Sequence, residues 1–147
     1  MKKRLTCLIL SLACGSLACP AKSGLFNGAI NGTIQGFQPY CSADGRKLQR
    51  DFINGHRKVG ATVNYSEGYK FYATDDVSIA NALRSLEKLL GSISYEYVTE
   101  AQGDYTTQYV FRKNGTLTRG MLISLEVTQD YALFFFTNGE FPFLKDE

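Results

Sequence analysis

Tryptophan is absent from this 147-residue chain, and histidine occurs once, at His56. One histidine excludes any zinc site built on two imidazoles, and all histidine-based acid–base chemistry would have to pass through His56. The four cysteines include no Cys-x-x-Cys pair, so they offer no metal-ligand spacing either. Gly-x-Ser-x-Gly, His-Glu-x-x-His and phosphate-loop patterns are missing. The sequence therefore implies no metal, no cofactor and no recognisable catalytic set. An excess of one charge is lacking as well, with 16 basic against 14 acidic residues. Beyond the N-terminal segment no apolar run approaches the ~18 residues of a spanning helix, so no transmembrane helix is expected in the mature chain.

What is present first is an address. Lys2, Lys3 and Arg4 precede the apolar stretch Leu5 to Ala18, and Ser16 and Ala18 place small residues before Cys19. This layout predicts a secretory signal peptide over residues 1–21, cut after Ala18 or Ala21, in preference to an N-terminal core helix. Its loss leaves 13 basic and 14 acidic residues. The mature chain then has no electrostatic footprint for nucleic acid. The local basic segment of Arg46, Lys47, Arg50, His56, Arg57 and Lys58 is interleaved with Asp44 and Asp51 and reads as a solvated face. About 126 residues remain, enough for one domain. The expected location is outside the cytoplasm: periplasmic, extracellular or tethered to the envelope.

Cleavage after Ala18 would keep Cys19 beside Cys41, and in an oxidising compartment the two would pair. Cleavage after Ala21 would leave Cys41 alone. Ser16-Leu17-Ala18-Cys19 also resembles the lipidation signal of bacterial lipoproteins, which would anchor Cys19 to a membrane. The likeness covers four residues. Serine stands where leucine is usual, and leucine where a small residue is usual.

Residues 22–39 carry glycine at 24, 28, 32 and 36. One reading is a helix with a glycine groove, suited to helix pairing or membrane insertion. The reading preferred here is a flexible, partly extended arm or an edge strand with tight bends, because Asn27, Asn31 and Gln35 suit lipid poorly.

The single domain expected over 40–147 begins with a short helix through Leu48, Phe52 and Ile53, capped by Asp44 and closed at Gly55, unless Asn54-Gly55 is a hairpin turn. Alternation then predicts a hairpin, Val59–Tyr65 and Tyr69–Ala73, turning at Ser66-Glu67-Gly68. A main amphipathic helix follows over 76–90, capped by Asp75 or Asp76 and stopped by Gly91. A four-stranded meander completes the chain, with a three-residue loop at Gln102–Asp104 that places Tyr97 opposite Tyr109. Phe134, Phe135 and Phe136 imply a strand covered on both faces. The fold class is α+β: an antiparallel sheet packed by one main helix and a second, shorter one.

Few residues point to chemistry. His56, flanked by Arg57 and Lys58, reads as a surface residue, with an enzyme using His56 beside Asp51 as the alternative. Asp75-Asp76 reads as a helix cap before it reads as a calcium pair. Asn31, Asn64 and Asn114 begin glycosylation triplets, which the lysine-rich signal discounts by pointing to a bacterial host. Tyr95, Tyr97, Tyr105 and Tyr109 are the candidate binding residues: core if the helix covers their face, a recognition surface if it does not. The leading expectation is an exported, non-catalytic module binding a protein or cell-surface component. The rivals are a protein holding a small apolar ligand between helix and sheet, a small secreted enzyme, and a membrane-active segment at 24–38.

Overall fold

The computed structural model describes residues 24–32 and 34–147. The expected signal of residues 1–21, and Cys19 with it, lie outside them. Among the described residues the order is β1 (Gly24–Leu25), β2 (Ile30–Asn31), β3 (Phe37–Pro39), α1 (Ala43–Lys58), β4 (Thr62–Phe71), α2 (Asp76–Ser92), β5 (Tyr95–Gln102), β6 (Thr107–Lys113), β7 (Arg119–Val127), β8 (Ala132–Glu140) and a C-terminal 3₁₀ helix, Pro142–Asp146. β1 and β2 form a small ribbon. The other strands form one antiparallel sheet in the order β3-β4-β8-β7-β6-β5. The fold is α+β, and the meander β5–β8 forms as its alternating pattern predicts.

Side chains of the sheet alternate between two covered faces. The first carries Tyr69, Phe134, Phe136, Ile123, Met121 and Phe111, packed against Ile79, Ala82, Leu86 and Leu90 of α2 and against Leu25 and Phe26 of the ribbon. The second carries Phe135, which meets Phe52 of α1 at 5.0 Å between ring centroids. Beside it Val110 and Leu122 pack on Phe141 and Leu144 of the C-terminal segment. The three phenylalanines thus serve both layers, and each is fully buried.

Both helices outrun their expected ends. In α1 the cap is Ser42, whose Oγ accepts from Gly45 N–H at 3.2 Å, while Asp44 sits in the first turn. Asn54-Gly55 does not turn the chain. The buried stripe Gln49, Ile53 and His56 continues past it, so packing on the sheet carries the helix to Lys58. In α2 the Asp75 carboxylate accepts from Ser78 N–H at 2.8 Å, and the helix passes Gly91 to end at Ser92.

The turn expected at Ser66-Glu67-Gly68 is absent, since β4 runs straight through it. Glu67 lies opposite Phe136 and Gly68 opposite Phe135. A Cβ on Gly68 would come within 2.8 Å of the Phe135 ring, so this glycine makes room for an aromatic neighbour and no bend. The pairing of β5 with β6 also differs from expectation: Tyr97 faces Phe111, and Tyr95 faces Lys113. The loop has four residues, 103–106, closed by Gly103 N–H to Thr106 O at 2.8 Å. That odd displacement would send the tyrosines to the opposite face. A bulge between Tyr97 and Thr99 restores the parity.

The glycine repeat makes no helix. Gly24, Gly28, Gly32 and Gly36 all have positive φ, so the period of four marks successive bends. Nor is the segment a loose arm: Leu25 and Phe26 lie in the core, and β3 is an edge strand of the main sheet.

Candidate functional site

α1 crosses the second face over β4 and β8, and the C-terminal segment covers another part of it. Between α1 and the neighbouring strands β6 and β7 the face stays open. The resulting groove has a volume of about 530 Å³. One wall is α1, with Leu48, Phe52, Gly55 and Val59; the sheet contributes Gln108 from β6 and Glu126 from β7. These two residues share the second face because their strands pair with Gln108 opposite Ser124, two residues before Glu126. Apolar walls with a few polar groups are the ordinary composition of a ligand site, and the volume is in the usual range.

His56 lines this groove and is not the surface residue its basic neighbours imply. It is 9% exposed, and its ring meets Phe141 edge-on at 5.8 Å. Helical geometry explains the difference. Arg57 and Lys58 stay in water on the outer side, while position 56 continues the buried stripe three residues after Ile53. Its Nε2 is buried without a hydrogen-bond partner. Burial holds its pKa below the usual imidazole value, so the ring is neutral. Asp51 also lines the groove, but its carboxylate pairs with Lys47 at 3.1 Å on the same helix. No His56–Asp51 hydrogen bond exists among the described residues.

The depressed His56 pKa has a measurable consequence. A base whose folded pKa is lowered contributes stability above its unfolded value of about 6.5, and that contribution is lost as the pH falls toward the folded value. Urea unfolding of the wild type should therefore lose stability below about pH 6.5 relative to His56→Leu, by at most about 1.4 kcal/mol per pH unit. Parallel profiles for the two proteins would show that folding leaves the His56 pKa unshifted.

The four tyrosines do not form one patch. Tyr95, Tyr97 and Tyr109 occupy the face that α2 covers, whereas Tyr105 stands on the 103–106 loop, 85% exposed. Tyr95 is tied in: its hydroxyl accepts from Asn138 Nδ2 at 2.8 Å, and the Lys113 ammonium lies 4.9 Å from its ring centre. Tyr97 and Tyr109 border a smaller cleft of about 250 Å³ beside α2, with Phe111, Glu87 and Glu100. Asp75 serves as a cap, and among the described residues no group of three acidic, cysteine or histidine side chains is placed for a metal. Cys41 is disulfide-bonded. Cys19, its expected partner, lies outside the described residues, as does any lipid attached there.

A second polar centre escaped the sequence reading. Glu67, 4% exposed, lies in the core beneath the β1–β2 turn. Its Oε2 accepts from Phe26 N–H at 3.0 Å and from the Tyr69 hydroxyl at 3.1 Å, and its Oε1 accepts from Asn27 N–H. Phe26 and Asn27 are both left-handed (φ 56° and 54°), which turns their successive N–H groups toward the carboxylate as an anion nest. A lone acid in Tyr65-x-Glu67-x-Tyr69-x-Phe71, on one face of a strand, was the available signal. The apparent Ser-Glu-Gly turn concealed it.

No protein-family model matches the chain, and neither a curated protein nor a solved structure matches it.

Proposed function

We propose that this is an exported, non-catalytic binding protein that takes a small, largely apolar ligand in the groove between α1 and the sheet. The observation that carries the reading is the open groove of about 530 Å³, walled by Leu48, Phe52 and Val59 and bordered by a few polar groups, His56, Gln108 and Glu126 among them. This favours a small ligand over the protein or surface component first expected at the tyrosines, because α2 already occupies much of the tyrosine face. An enzyme built on His56 and Asp51 receives less support, since no hydrogen bond joins the two side chains among the described residues and His56 Nε2 is closed off from the groove. Export rests on the basic-then-apolar N-terminus.

The test is native mass spectrometry of the protein purified from its own host. A co-purified small molecule, released when Gly55→Leu narrows the groove, is the expected result. A ligand retained unchanged by Gly55→Leu would place binding elsewhere.

A further inference from the structure

We infer that the ligand of the α1 groove is an amphipathic amine, an alkyl or aryl body carrying a protonated nitrogen. The inference rests on the groove being a ligand site, and three observations give the ligand its chemistry.

The first is the polar lining, in which acceptors predominate. Asp51 and Glu126 contribute carboxylates. Gln108 donates one amide N–H to Ser124 Oγ at 3.2 Å, leaving its carbonyl oxygen and a second N–H. Among the described residues no lysine, arginine or hydroxyl side chain lines this groove. Arg57 and Lys58 line the adjoining depression, which shares Asp51 and Gly55 with the groove, so Glu126 is the carboxylate that belongs to the groove alone. Neither described ion pair involves Glu126. The Lys47–Asp51 pair is solvent-exposed, so it holds Asp51 only weakly. A wall with two carboxylates and no cationic side chain among the described residues matches a group that brings donors and positive charge, and an ammonium brings both.

The second is His56. It lines the groove, and burial keeps its imidazole neutral, so it adds no charge that would repel a cation. A carboxylate ligand would meet Asp51 and Glu126 with like charge instead.

The third is Gly55. It lies inside α1, has no positive φ, and a Cβ built on it would have nothing within 4 Å. Glycine there costs the helix about 1 kcal/mol relative to alanine and fills no packing need. Gly45 differs, because Tyr40 leaves it no room: a Cβ would lie 2.5 Å from Tyr40 O. On the groove wall, the missing side chain at Gly55 lets an apolar body pass along the helix backbone toward Leu48, Phe52 and Val59.

The experiment is calorimetric titration of the purified protein at pH 7.5 with three probes of equal chain length: octylammonium, octanol and octanoate. Octylammonium is expected to bind at least about tenfold more tightly than the other two, the worth of one charge-assisted contact. Glu126→Gln should remove about that factor for octylammonium and leave octanol unchanged. Gly55→Leu should abolish binding of all probes while its unfolding midpoint stays at or above that of the wild type, which separates a blocked groove from a damaged fold. Equal or tighter binding of octanol or octanoate would overturn the amine and leave the groove standing as a site. Binding of none of the three would overturn the groove reading itself. Octylammonium binding that survives Gly55→Leu would overturn both, by placing the cation elsewhere on the surface.

Discussion

Glu67→Ala should destabilise the protein by about 3–5 kcal/mol, a large part of the ~5–15 kcal/mol that holds a typical domain. The carboxylate is the acceptor for two backbone N–H groups and one phenol, all under the β1–β2 turn. Removing it strands the N–H groups of Phe26 and Asn27 away from water and leaves a cavity beside Tyr69 and Phe136. The effect has an unusual pH dependence. Burial, the dominant influence, raises the Glu67 pKa, while the three hydrogen bonds pull it down by less. A group whose folded pKa is raised contributes its full stability below the unfolded value and loses it as the pH climbs through the folded value. The gap between wild type and Glu67→Ala should therefore widen as the pH falls toward about 4.3, whereas salt-bridged carboxylates show the opposite trend. Urea unfolding followed by circular dichroism at several pH values measures this. A gap that narrows on acidification would mean that the hydrogen bonds outweigh burial at this site.

Phe136→Ala should cost about 3–5 kcal/mol, and Phe143→Ala less than about 1 kcal/mol. Phe136 is fully buried at the centre of the first layer, with ring centroids 5.1 Å from Phe26 and 5.3 Å from Tyr69. Its truncation opens a cavity where α2, the ribbon and three strands converge, and no single element can move in to fill it. Phe143 is 40% exposed on the C-terminal 3₁₀ helix, with its ring centroid 5.9 Å from that of Phe141. Equal effects at the two positions would show that the first layer relaxes around the cavity. Phe135→Ala would open the other layer, under α1, and is the control for whether the two layers fail together.

Local patterns carried much of the architecture. The apolar spacing Ile79, Leu83, Leu86 and Leu90, with an aspartate before it, specifies α2 and its cap, because helical period and capping chemistry both act within a few residues. Alternation specifies β5 to β7 as strands, and three consecutive phenylalanines specify β8 as a strand buried on both sides. Each of these signals is short in range, so it survives without knowledge of neighbours.

Contacts between distant segments decided the rest. Ser66-Glu67-Gly68 has turn chemistry, yet it lies mid-strand because Phe135 needs the space at Gly68 and the β1–β2 turn needs the carboxylate of Glu67. Asn54-Gly55 has hairpin chemistry, yet it lies in a helix because Ile53 and His56 are both drawn onto the sheet. The parity of Tyr95 and Tyr97 follows from a bulge that no alternating pattern announces. The groove is the least local feature: its walls come from residues 48–59, 108 and 126, brought together only when α1 docks over β4 and β8 and leaves the part of β6 and β7 around Gln108 and Glu126 open. His56 shows the boundary between the two kinds of information. Its identity as the only histidine is plain in the sequence, but its burial, its neutrality and its unpartnered nitrogen arise from the face of α1 that meets the sheet.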